Sequence, residues 1–300
     1  MTRVLVTGAT GFIGRHAVAP LLERGFEVHA LARRPVDAEG VTWHEADLLD
    51  GPATARVVAA VEASHCLHLA WDVGPGFWSA PANADWVAAS LNLMRAFHLA
   101  GGTRFVSAGT CAEYDWSLPV GTLPEDAPKA PSTFYGVAKD ATRRVLEGYA
   151  AQVGMGWAWG VLFLSFGPFE RPERLVPSVI RSLLAGQEAH TTAGTQVRDF
   201  MDCRDQGAAF AALVASDVVG AVNIGGGEGV SVADLVRMIG DAAGRPDLLR
   251  IGALAMRAGE PGRLVADVTR LRAEVGFTPA RDLAGAVADA VDWWRGPHTA

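Results

Sequence analysis

The chain has 300 residues, half of them hydrophobic and a fifth charged, with a formal net charge of −7. That length supports a sizeable core, while no apolar run reaches the ~18 residues of a membrane span and no basic stripe offers a surface to nucleic acid. Three cysteines (Cys66, Cys111, Cys203) are an odd number without metal-ligand spacing, so reduced thiols in a cytoplasmic protein are expected, and no metal.

A strand pattern begins within three residues, so no signal peptide is expected. Residues 3–7 read as a short buried strand, followed by Gly8-Ala9-Thr10-Gly11-Phe12-Ile13-Gly14 and a helix over about 12–24. Glycines at 8, 11 and 14 between a strand and a helix form a dinucleotide-binding loop. The first makes the turn, the second lets the backbone approach a pyrophosphate, and the third lets the helix pack close to the strand. Phe12 and Ile13 open the helix, whose N-terminal N–H groups and dipole favour phosphate.

The second strand spans residues 27–31. An acid about 20 residues beyond the loop would bond the ribose 2′-hydroxyl of NAD. Ala32 stands there, followed by Arg33 and Arg34, whose guanidinium groups suit the 2′-phosphate of NADP, although two solvated arginines on a turn read the same way.

Strands at 41–45 and 65–70, helices at 52–62 and 85–100, and a strand at 103–107 continue the alternation. This predicts an α/β fold with a doubly wound parallel sheet. His68, in an apolar strand, reads as a satisfied core residue. The loop after Ser107 lies at a carboxyl end of the sheet, where ligands bind, so the hydroxyls of Ser107 and Thr110 are both candidates to meet a reacting oxygen.

Pro131 with Ser132 or Thr133 starts a helix to about residue 149, which puts Tyr135 and Lys139 on one face. An ammonium held there stabilises a phenolate and lowers the tyrosine pKa towards working pH, giving a proton donor and acceptor for hydroxyl/ketone interconversion. Beyond Gly167-Pro168 the composition changes. A helix at 176–185, a glycine-bearing hairpin before Arg198-Asp199-Phe200, a helix at 205–216 and a strand at 221–224 follow. Gly225-Gly226-Gly227 reads as a turn before a helix at 232–243, and a last helix at 284–295 carries Trp293 and Trp294. The expected division is a dinucleotide-binding domain over 1–166, to which 199–224 return, and a second domain from 167–198 and 225–300.

Together, the 8–14 loop, Asp47-Leu48, His68-Leu69-Ala70, Tyr135 with Lys139, Gly167-Pro168, Arg198-Asp199-Phe200, 222–225 and 257–261 resemble the extended short-chain dehydrogenase/reductase superfamily. The resemblance is to its epimerase/dehydratase group, which acts on nucleotide sugars. It implies a Rossmann-type sheet with a smaller C-terminal α/β domain for the sugar nucleotide. Tyr135 would be the acid/base, Lys139 would hold the nicotinamide ribose, and Thr110 would bond the substrate oxygen, with Cys111 beside it. Asp47 and Leu48 would meet the adenine, and Leu69 and Ala70 the cofactor's phosphates and ribose. Arg198 and Arg257 would hold the sugar nucleotide's diphosphate and Glu260 its ribose hydroxyls.

Two departures matter. Cys111 and Ala112 occupy the positions where 4,6-dehydratases carry an Asp-Glu pair, so water-elimination chemistry is not expected. Val161 and Leu164 replace a common Arg and Asn, leaving backbone groups or Ser165 for the nicotinamide amide. The segments 109–114 and 252–261 look most like 4-ketoreductases of deoxysugar pathways, similar to abequose and paratose synthases. This implies NADPH-dependent reduction of the C4 ketone of a nucleotide-linked 4-keto-6-deoxyhexose. A 4-epimerase with tightly bound NAD and a non-catalytic dinucleotide sensor are the alternatives. The resemblance also implies a homodimer formed through the helices at 85–100 and 134–149.

Overall fold

Buried strands alternate with helices whose ends are set by local chemistry. In chain order they are β1 (Thr2–Thr7), α1 (Gly14–Glu23), β2 (Phe26–Ala32), β3 (Val41–Glu45), α2 (Gly51–Val61), β4 (His65–His68), α3 (Asn83–Leu99), β5 (Arg104–Thr110), α4 (Phe134–Val153) and β6 (Gly156–Leu162). The computed structural model describes residues 2–36, 38–118, 121–256 and 259–297. Asp50 caps α2 by accepting from Ala53 N, and Thr133 caps α4 by accepting from Gly136 N. Helix α4 stops at Gly154, whose φ of +71° suits glycine.

The second half adds β7 (Leu164–Phe166), α5 (Leu175–Leu184), β8 (Ala189–Thr191), β9 (Val197–Arg198), β10 (Phe200–Asp202), α6 (Cys203–Ala215), β11 (Gly220–Ile224), β12 (Val230–Ser231), α7 (Val232–Ala243), β13 (Leu249–Ile251), β14 (Arg263–Leu264), α8 (Thr269–Ala273) and α9 (Leu283–Arg295). Seven parallel strands make the main sheet in the order β11-β6-β5-β4-β1-β2-β3. The strand order reverses between β1 and β4, which opens a crevice beyond their carboxyl ends.

The hairpin expected before Arg198 does not form. Strand β8 pairs with β13, and β9 lies between β12 and β14. The glycine there serves a close approach instead: a Cβ on Gly194 would lie 2.6 Å from the backbone nitrogen of Ala233 in α7.

Two apolar cores result. The larger follows the main sheet and also takes in Leu264, Ala266, Val268, Leu271 and Phe277. The smaller joins Phe166 to α5, α7 and α9, including Trp294. Between β9 and β10, buried Asp199 accepts from the N–H groups of Gly226 (2.7 Å), Gly227 (2.9 Å) and Ala266 (3.1 Å). The glycine cluster at 225–227 is therefore a turn clasped by a carboxylate.

Candidate active site

The glycine loop is built by exclusion of side chains. Gly8 has φ +78°, and a Cβ there would lie 2.7 Å from Ala70 N; one on Gly14 would lie 2.1 Å from Gly8 O. At Gly11 the nearest atom to such a Cβ is Gly8 O at 3.0 Å, on an exposed stretch of backbone. No side chain caps the start of α1 and no acid sits in its first turn, so its N–H groups and dipole remain available to an anion. Thr7 Oγ1 meets His68 Nδ1 at 2.7 Å, and His68 Nε2 meets Ser90 Oγ at 2.9 Å. This buried chain ties the end of β1 to β4 and sets Leu69 and Ala70 beside Gly8. Burial holds His68 neutral, its pKa lowered to about 3.

Ser107 sits next, on β5, with its hydroxyl buried and without a hydrogen-bond partner. An outward-facing Gly11 backbone, an uncapped helix start and this unpartnered hydroxyl fit a nicotinamide dinucleotide lying across the crevice. Arg33 and Arg34 are exposed just past β2, and no acid ends that strand. Asp47 is exposed and turns its carboxylate to Leu49 N at 3.0 Å, whereas Leu48 packs into the core. Ser165 lies half-buried on β7, paired with Met201 of β10.

Tyr135 opens α4 with its N–H donated to Trp78 O at 3.0 Å. Its ring stands edge-on to Phe77, Trp78 and Trp71, with centroids at 4.8, 5.6 and 6.3 Å. This aromatic wall desolvates the phenol and raises its pKa; the Thr110 hydroxyl, within hydrogen-bonding reach, opposes the rise. In this structure burial is the larger influence, so the phenol stands above its ordinary pKa and not below it as expected. The Lys139 ammonium donates to Ala108 O at 2.7 Å and lies 4.1 Å from the centre of the Trp71 ring. Burial lowers the Lys139 pKa, and Glu113 opposes that effect.

Thr110 is the last residue of β5, which runs three residues past its expected end because small residues continue the pairing with β6. It caps a short 3₁₀ turn over Cys111–Glu113. Cys111 is buried and its thiol pushed up to about 12, a packed group and not a nucleophile. The Arg198 charge opposes part of that rise, and its guanidinium donates to Glu260 Oε1 at 3.0 Å, an oxygen that Gln196 Nε2 reaches at 3.3 Å. Arg257 lies outside the described residues.

Several neighbours escaped the sequence reading. Glu113 is buried behind Thr110, and Thr-x-x-Glu is itself a capping-box signal. Gln196, beside Arg198, keeps an unpartnered buried Oε1. In the turn after β7, Phe169 has φ +66° and its ring lies 4.0 Å from the Arg15 guanidinium. Glu170 follows it, buried, with Oε2 unpartnered and Arg174 Nε 3.8 Å away; burial pushes its carboxyl up to about 8. Among the described residues no cluster of three metal-ligating side chains occurs, and no helix is long and apolar enough to cross a membrane.

Residues 4–225 match the family described as NAD dependent epimerase/dehydratase. The chain belongs to this family. Among its members, the UDP-glucose 4-epimerase of Corynebacterium glutamicum is 27% identical over 96% of this chain and 94% of its own length. The dTDP-glucose 4,6-dehydratase of Streptomyces griseus is 29% identical over 98% of this chain and 94% of its own. The structure of MoeE5 in complex with UDP-glucuronic acid and NAD superposes with a TM-score of 0.81 at 32% identity, covering 98% of this chain and 99% of that one.

Proposed function

We propose that this family member is a nucleotide-sugar 4-epimerase, working through transient oxidation at C4 of a nucleotide-linked hexose. The observation that carries the reading is the convergence of Thr110, Tyr135 and Lys139 at the carboxyl end of β5, where positions 111 and 112 offer only a thiol and a methyl group. Loss of water from the sugar needs acids there; oxidation and reduction do not. Full-length similarity to 4-epimerases supports the same choice.

A nicotinamide dinucleotide supplies reversible hydride acceptance, and Gly8, Gly11, Phe12, Ile13, Gly14, Leu69, Ala70 and Ser107 would hold it. Tyr135 would take the C4 hydroxyl proton on oxidation and return it on reduction, while Thr110 shares a hydrogen bond with the same oxygen. Lys139 would turn from the Ala108 carbonyl to the nicotinamide ribose. Arg198 and Arg257 would hold the nucleotide diphosphate and Glu260 the ribose hydroxyls.

Ala32 with exposed Arg33 and Arg34 favours a second reading, NADPH-dependent reduction of a 4-keto-6-deoxyhexose on the same residues. One set of assays separates the two. Incubation with UDP-glucose, UDP-glucuronic acid and their dTDP counterparts is expected to interconvert C4 epimers with no net change in cofactor absorbance. Tyr135→Phe is expected to reduce turnover on the order of 10² to 10⁴-fold. Stoichiometric NADPH oxidation by a 4-keto sugar nucleotide, without epimerisation, would establish the second reading; near-normal turnover by Tyr135→Phe would reject both.

A further inference from the structure

Glu113 has 0% of its surface exposed, yet it carries a carboxyl group. Two of its contacts lead back to the catalytic residues. One oxygen accepts the Thr110 backbone N–H at 2.8 Å, and the Trp159 indole N–H lies 3.2 and 3.1 Å from the two oxygens. Arg143 Nε stands 3.8 Å away. The same indole carries the Lys139 ammonium above it, 5.3 Å from the ring centre. Gly109 admits the indole, because a Cβ there would lie 2.1 Å from its nitrogen.

We propose that Glu113 is a positioning residue for the chemistry at Tyr135, fixing Thr110 through its backbone and supplying, across Trp159, the counter-charge of the Lys139 ammonium. This rests on the reading of Tyr135, Thr110 and Lys139 as the reacting centre and adds the residue that arranges two of them.

The groups facing this pair come from every surrounding element. Glu113 touches Arg143 of α4, the Thr110 N–H of β5 and Trp159 of β6, and its charge also acts on Lys139 and Tyr135 of α4 and on Lys129, Cys111 and Tyr114. Lys139 faces Glu113 and, from β4, the neutral His68. Burial pushes Glu113 up and Lys139 down, and each resists the other's loss of charge. Two such groups titrate as a unit. Removing the carboxylate leaves a buried ammonium without its counter-charge, so Lys139 releases its proton at lower pH.

The sequence contains two lysines, Lys129 and Lys139. The full chain labelled with ¹³C at lysine Cε therefore shows two lysine methylene signals, assigned with Lys129→Arg. In Glu113→Gln the Lys139 midpoint is expected to fall by at least about 1 pH unit, and the basic limb of kcat/KM with it. Glu113→Asp keeps the charge and is expected to hold that limb near its wild-type position at reduced kcat. In the wild-type protein the Lys139 signal is expected to register a second, smaller step as Glu113 takes up its proton, a readout that needs no variant to fold. A single-step wild-type curve, or an unmoved Lys139 midpoint in Glu113→Gln, overturns the proposal. Coupled titration in a chain that turns over no nucleotide sugar supports the Glu113 proposal and rejects the 4-epimerase reading instead.

Discussion

Replacing Glu170 by glutamine is expected to stabilise the protein at alkaline pH and leave it nearly unchanged in acid. The carboxyl is buried, one oxygen has no partner, and its pKa is pushed from an ordinary 4.5 up to about 8. The unfolded chain loses this proton from about pH 4.5 upward, whereas the folded chain keeps it until about pH 8. The folded state is therefore unpenalised below the lower value and loses stability progressively up to the higher one. At about 1.4 kcal/mol per pH unit crossed, the penalty approaches ~5 kcal/mol at the top of that window. That value already includes the opposing attraction of Arg174, 3.8 Å away and half in solvent. Glutamine matches the protonated side chain in shape and never ionises. Melting curves of both proteins at about pH 5 and about pH 8 should show Tm gains of roughly 2 °C per kcal/mol recovered, confined to the higher pH. A gain of equal size at both pH values, or none at either, would refute the reasoning.

Three further outcomes follow from the same contacts. Gly14→Ala places a methyl group against Gly8 O, where a Cβ has 2.1 Å of space, so NAD affinity measured by calorimetry should fall at least about tenfold; unchanged affinity would remove the loop from the cofactor site. Asp199→Asn puts an amide NH₂ among three N–H donors, and chemical denaturation should show a loss of about 2–4 kcal/mol; a loss below ~1 kcal/mol would mean the turn at 225–227 holds itself. His68, with its pKa lowered to about 3, is neutral when folded while the unfolded chain gains its proton below about pH 6.5. Stability should thus fall by about 1.4 kcal/mol per pH unit from there, and His68→Gln should flatten that slope; parallel slopes in the two proteins would assign the acid sensitivity elsewhere.

Much of the fold was legible because strand and helix periods alternate cleanly. The glycine loop showed itself through spacing, as did the one-turn separation of Tyr135 and Lys139. What the spacing could not convey was solvent exclusion. It placed an ammonium near a phenol, but the rise in the Tyr135 pKa comes from Trp71, Phe77 and Trp78, reached through tertiary packing of a glycine-rich loop. Glu113 is hidden in the sequence because its capping box opens a turn only three residues long, with no periodic helix behind it to mark the signal. The missing hairpin has a similar cause: strands of two or three residues are assigned by partners distant in sequence, and β8 and β9 take theirs from residues beyond 229.

The larger core draws on Leu271 and Phe277, near the far end of the chain, as well as on β1. During synthesis, the nascent sheet cannot finish covering its apolar face until those residues have left the ribosome, by which time all of the smaller core except its α9 side chains has emerged as well. Translation stops or truncations after β11 should therefore yield sticky fragments that need chaperone protection.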